Sequence, residues 1–370
     1  MGDAMRMAVE EGGPPITPSA SMEAMASEEV PPAKGHDRRG GTPPPPPPRV
    51  SNLAIANPAK GDGEVTFREA EHEYWHLVNG VSTKIRKSVT GMLKPFFETF
   101  DGEAVVNEHF ASWKGNKNHK YGQLIGYLRV VKGLTDDEIK REILAYWDKA
   151  GKEAADIGTR IHEECQCLVE AWPPPREPMS RAAAMFRDWL YGTPGVEGFL
   201  QRNELRPWRA EWVIAYTLDG GQAVVAGQVD LVLRSTNPAM AGTEHEYWCI
   251  DYKTTNPAPK YHKGPPNLLG EEEATSRFST QRAKPPFAEF AANDFNKYTA
   301  QLNCYGFIAA TKYDVDFRSH MYVLQINDNE QYLPVPNFRK VPRMDVAVKA
   351  LFKAETAATC LNVPMYSVAD

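Results

Sequence analysis

Two carboxylates and a lysine define the chemistry open to this chain. Asp230 stands in G-Q-V-D-L-V-L, and the next strand-like segment carries Asp251 and Lys253 in C-I-D-Y-K-T. Side chains alternate along a strand, so Asp251 and Lys253 share a face, and pairing with the neighbouring segment brings Asp230 beside them. Two close carboxylates repel unless a cation lies between them, and oxygen donors of this kind suit Mg²⁺ or Mn²⁺. Such an ion activates water and stabilises charge on a phosphate under in-line attack. Lys253 is then placed to orient or deprotonate the water, or to stabilise the developing charge. The plain alternative is a surface Asp-x-Lys pair on a strand edge. Against it stand Val229, Leu231, Leu233, Cys249 and Ile250, which embed both strands in a core where unpaired charge is costly.

Two helical segments add polar groups. G-T-R-I-H-E-E-C sets His162 one turn after Gly158, whose missing side chain allows close approach of a neighbour or ligand. His162 is a candidate third metal ligand, a satisfied structural histidine being the alternative. In K-Y-T-A-Q-L-N-C-Y, Gln301 and Tyr305 are four apart and share a helix face; with Lys297 they are suited to grip a phosphate backbone or to orient the lysine. The same pattern also describes an amphipathic helix with a polar rim. Glu211, on the strand before Asp230, is either an outer-sphere carboxylate or a surface strand residue.

The elements that must position these groups follow from periodicity. Residues 1–50, rich in Pro, Gly, Ser and charge and ending in Pro43 to Pro48, read as a disordered tail, the proline run serving as a spacer or an SH3- or WW-type ligand. From Glu64 an alternating pattern with Asn79-Gly80 predicts a β-hairpin. Helices are expected after Ser88, over 136–149, 152–172, 180–191 and 293–311, and strands over 211–216, 223–234, 246–254 and 320–326. The three consecutive strands suggest an antiparallel meander. The Pro-rich stretch 256–286 reads as a long loop, within which Lys260 and Lys263 are expected to contact phosphate. The domain expectation is a folded region over 51–355 and a C-terminal tail over 356–370.

A net charge of −6 argues against holding nucleic acid by blanket electrostatics, while leaving room for local basic patches. Five scattered cysteines without a CxxC pair fit neither a disulfide framework nor a zinc site and point to a reducing compartment. There is no apolar run of about 18 residues and no apolar signal core, so the expectation is an intracellular protein without a membrane partner.

Taken together, a helix with Gly and His, a strand with G-x-x-D, a strand with (D/E)-x-K and a helix with Q-x-x-x-Y, in that order, resemble the RecB-like branch of the PD-(D/E)XK nucleases. That branch includes lambda exonuclease and many viral recombination nucleases. The resemblance covers about Glu64 to Ile326, and F-R-E-A-E-H-E-Y-W with K-S-V-T-G-M-L is similar to the opening of virus-type members. It implies an α/β fold with a restriction-endonuclease-like core, a central mixed β-sheet flanked by helices, and an N-terminal hairpin and helical subdomain. It also implies that His162, Asp230, Asp251 and the Tyr252 carbonyl bind Mg²⁺ or Mn²⁺, that Lys253 is catalytic, and that Gln301 and Tyr305 assist. The implied activity is metal-dependent DNA hydrolysis, an exonuclease sooner than a sequence-specific endonuclease, in replication, recombination or repair. DNA and replication or recombination proteins are the implied partners, in the nucleus or cytoplasm or in a virus-encoded setting. Gln166 stands where many relatives carry Glu. Cys165, Cys167, Cys249, Cys304 and Cys360 lack the spacing of the iron-sulfur members, so no cluster is expected. The alternatives are a catalytically idle relative that binds nucleic acid or a replication partner, and a hydrolase of small phosphoesters.

Overall fold

The structure, a computed structural model, describes residues 50–69, 71–78, 80–97, 101–218, 221–254, 282–329 and 336–361. The expected tail before residue 50, the Asn79 side of the hairpin turn, Lys260, Lys263 and most of the 256–286 loop lie outside them. The chain is a mixed α/β protein that divides into two compact units, residues 100–155 and the remainder from residue 51.

In the smaller unit, α3 (Gly102–Gly115), α4 (Lys120–Val130) and the first part of α5 (Asp136–Glu170) bury one apolar cluster. Phe110, Trp113, Tyr121, Ile139, Ile143 and Trp147 form its centre. The buried Trp147 indole donates to the Tyr121 hydroxyl at 2.7 Å, so the polar ends of both rings are satisfied inside the cluster. Two helices expected over 136–149 and 152–172 are one continuous helix. Thr135 and Glu138 cap its start reciprocally, and the apolar stripe Ile139, Ile143, Trp147 resumes as Ile161, Cys165, Val169. Gly151 within it costs only about 1 kcal/mol, too little to break a helix held by packing at both ends.

The larger unit opens with α1 (Asn52–Ala56) and an antiparallel sheet of β1 (Val65–Arg68), β2 (Glu73–Val78) and β3 (Val81–Lys84), followed by α2 (Val89–Leu93). The predicted hairpin is thus its last two strands. After the second part of α5 and α6 (Arg181–Tyr191) come β4 (Leu205–Thr217), β5 (Ala223–Ser235) and β6 (Tyr247–Lys253). Then follow α7 (Asp294–Lys312), β7 (Met321–Gln325), β8 (Asn337–Lys340) and α8 (Asp345–Leu361), the last running beyond the 355 boundary. The strands form one mixed five-stranded sheet in the order β8-β7-β6-β5-β4. Only β6 and β7 run parallel, and the connection between them contains α7.

Helices cover both faces. On one, α2, α7 and α8 bury Met92, Leu302, Ile308, Leu351 and Phe352 against Ile214, Val225, Cys249 and Val323. On the other, α5 and α6 bury Ile161, Cys165, Phe186 and Leu190 against Leu231, Ile250, Tyr252 and Leu324. β6 therefore reads apolar on both sides, with Asp251 and the terminal Lys253 as the exceptions within it. Among the described residues, no helix is long and apolar enough to cross a membrane.

Candidate metal centre

Strand register brings the acidic groups together. β5 and β6 pair Leu231 with Ile250, so one step further Asp230 faces Asp251. β4 and β5 pair Ala210 with Leu231 and Trp212 with Val229, so Glu211 faces Asp230 from the other side. At that point the strands leave regular alternation. Ala210 and Leu231 pack into the α5 side of the sheet, whereas Trp212 and Val229, two residues on, pack into the α7 side. Glu211 adopts a left-handed backbone, φ 46°, which makes the switch. A non-glycine residue held there is strained, and such strain collects at functional sites.

α5 supplies the imidazole. A Cβ on Gly158 would meet Thr254 Oγ1 at 3.2 Å, so the glycine lets the helix lie against the end of β6. One turn on, His162 Nδ1 lies 3.4 Å from Glu211 Oε1 and 3.8 Å from Asp230 Oδ2. One donor atom from each of His162, Glu211 and Asp230 falls within 4.8 Å of the others. Asp230 Oδ2 also accepts the Tyr252 N–H at 2.7 Å. Tyr252 thus meets the cluster through its amide, and its buried ring packs edge-on to His162 at 5.3 Å. Asp251 lies 1 % exposed, 2.5 Å from Lys253 Nζ. Apart from that ion pair, its two oxygens have no hydrogen-bond partner among the described residues.

The electrostatics follow from burial and like charge. Desolvation raises the Asp251 carboxyl, Lys253 pulls it back and Asp230 pushes it up again, to about 6. Asp230 is raised too, by burial first, with His162 opposing and Glu211 adding to the rise. Burial opposes charging of His162, but Asp230 and Glu211 outweigh it and lift the imidazole to about 9. Clustered carboxylates with too few donors, the buried Asp251 Oδ1 without a hydrogen bond and an imidazole nitrogen make a donor set of the kind a divalent ion such as Mn²⁺ or Mg²⁺ would satisfy. The donor atoms of His162, Glu211 and Asp230 meet, and Asp251 stands beside Asp230 on the neighbouring strand.

Gln301 and Tyr305 stand behind the carboxylates. The Gln301 amide donates to the Tyr305 hydroxyl at 2.9 Å, and the Tyr305 ring lies on Gly227, where a Cβ would come within 2.4 Å of a ring carbon. The glycine of G-x-x-D is thus the seat of the tyrosine of Q-x-x-x-Y. Replacing Gly227 by alanine is expected to destabilise the fold by about 1–3 kcal/mol through overpacking, with most of the loss recovered by adding Tyr305→Leu. Chemical denaturation of the two variants checks this, and a Gly227→Ala protein as stable as the parent would place the ring elsewhere.

Of the residues read from sequence, His162, Asp230, Asp251 and Lys253 converge. Glu211, expected at most in an outer role, lies in direct contact with the histidine. Missed altogether are Tyr298, whose ring carries Lys253 Nζ at 4.8 Å, and Tyr74 of β2, a phenol raised by burial and then by Glu211 and Asp230. The first left a signal, because Tyr298 precedes Gln301 by three and Tyr305 by seven, on one helix face. Compared with family models, curated proteins and solved structures, the chain matches none.

Proposed function

We propose that this chain is a divalent-metal-dependent nuclease that hydrolyses DNA phosphodiester bonds, built on a restriction-endonuclease-like core of the RecB-like PD-(D/E)XK branch. The observation that carries the reading is the meeting of His162 and Glu211 on one side of Asp230 with the Asp251–Lys253 pair on the other. The order helix, three strands, helix, strand around a mixed sheet supports it. When bound, a divalent ion supplies Lewis acidity, polarising a phosphoryl oxygen and acidifying water. His162, Glu211, Asp230 and Asp251 would hold it. Lys253 meets the attacking water or the charge growing on the phosphate. The Tyr252 N–H holds Asp230 in one orientation, and Tyr305 with Gln301 walls the back of the site. Exonuclease action in replication, recombination or repair is the family-level part of the proposal.

End-labelled linear and circular DNA, single- and double-stranded, incubated with Mg²⁺, Mn²⁺ or EDTA, tests it. The expected result is loss of linear DNA with either metal and none in EDTA. Metal binding without cleavage of any DNA would move the assignment to a nucleic-acid or partner-binding protein.

Metal affinity is expected to depend steeply on pH. His162 must give up its proton to ligate, and with that proton held up to about 9, apparent affinity for Mn²⁺ should rise about tenfold between pH 7 and 8. Titration calorimetry in buffers of different ionisation enthalpy would show close to one proton released at pH 7.5. His162→Gln should flatten the dependence, and an unchanged slope would remove the imidazole from the ligand set.

A further inference from the structure

Lysine is a point charge on a flexible four-carbon stem, and a reaction that uses it needs the head held in one place. In this fold Lys253 is the last residue of β6, where backbone pairing ends, so its side chain must be held by what surrounds it. One restraint is Asp251, at 2.5 Å. Another comes from α7, where the Tyr298 ring lies under the ammonium with Nζ 4.8 Å from its centroid, inside the range of a cation–π contact. The ring is 4 % exposed, so water competes little for the charge.

The Tyr298 hydroxyl is buried and has no hydrogen-bond partner among the described residues. An unpaired buried hydroxyl opposes folding, so packing alone would be served better by phenylalanine. What tyrosine and phenylalanine share, and leucine lacks, is the negative face that meets Lys253.

We propose that Tyr298 is the positioning residue of the catalytic lysine, its ring face holding the Lys253 ammonium against Asp251. This rests on the nuclease reading for its effect on rate, but not for the contact. Tyr298→Phe keeps the ring and sheds the orphaned hydroxyl; it cleaves DNA at the wild-type rate and melts at the same temperature or higher. Tyr298→Leu keeps apolar volume and loses the face, and kcat falls about tenfold, as expected for a partly buried cation–π contact, while KM and Mn²⁺ affinity stay unchanged.

The test pairs that rate comparison with the reactivity of Lys253 towards an amine-directed reagent, followed by mass spectrometry of the labelled peptide. Labelling of Lys253 rises severalfold in Tyr298→Leu and stays at the wild-type level in Tyr298→Phe. If the leucine variant does not fold, judged by its melt, Tyr298→Met fills the same space and takes its place. The proposal is overturned if the aliphatic variant labels like wild type, or if Tyr298→Phe loses as much rate as Tyr298→Leu. Failure of the nuclease reading looks different: the wild type cleaves no DNA with either metal, while the labelling comparison still decides whether the ring holds the lysine.

Discussion

Lys253→Met and Asp230→Asn are each expected to lower single-turnover hydrolysis of linear DNA on the order of a thousandfold, and to do so for different reasons. The lysine supplies no ligand. Removing it takes a positive charge from beside Asp251 and Asp230, both of which it holds towards the ionised form. Lys253→Met should therefore bind Mn²⁺ as tightly as the parent or more tightly while failing to turn over. Asp230 faces Glu211 on one side and Asp251 on the other, and it is anchored by the Tyr252 amide. Its replacement removes the carboxylate common to both halves of the site, so activity and Mn²⁺ affinity should fall together. Electron paramagnetic resonance of free Mn²⁺, run beside the cleavage assay, separates the two. Hydrolysis surviving in both variants would place the chemistry elsewhere in the chain, and loss of Mn²⁺ binding in Lys253→Met would make the lysine structural.

Strand period and register were enough to put Asp251 and Lys253 on one face and Asp230 beside them, because alternation and cross-strand neighbourhood are local rules that β5 and β6 obey at their paired ends. His162 was legible through Gly158, whose missing side chain in a helix signalled close approach, met here by Thr254. Glu211 was not legible. A strict two-residue period cannot announce a left-handed residue in mid-strand, and that residue turns Trp212 to the face opposite Ala210 and leaves the Glu211 carboxylate at the switch. The two helices expected in place of α5 fail for a different reason. Gly151 is a local signal of about 1 kcal/mol, whereas the packing of Trp147 on one side and Ile161 on the other is tertiary and outweighs it. The partnership of Gly227 with Tyr305 was hidden because its members lie on different elements, and no spacing rule joins them.

Asp251→Asn is expected to make the metal-free protein more stable at neutral pH while abolishing hydrolysis. A carboxyl with an ordinary value of 3.8, held up to about 6 in the fold, is disfavoured in its charged form. The penalty is absent below about pH 3, where the group is protonated both folded and unfolded. It grows as pH rises towards 6 and is constant above. The interval between 3.8 and about 6 corresponds to about 3 kcal/mol. Loss of the partner of Lys253 is already inside that figure, because protonating Asp251 removes the same charge. In EDTA the asparagine variant should therefore match the parent near pH 3 and exceed it by about 3 kcal/mol at pH 7.5, read from urea unfolding with an unchanged slope. In saturating Mn²⁺ the order should reverse. The parent gains about 4.1 kcal/mol at a thousandfold excess of ion over its Kd, more than its deficit of about 3 kcal/mol, and the variant, short of a carboxylate, gains under about 1 kcal/mol. Equal stabilities in EDTA at both pH values would mean that Asp251 is not held charged against its burial. Its Oδ1, left without a hydrogen bond, would then have a partner other than a divalent ion, and the centre built around Asp230 would have to function without it.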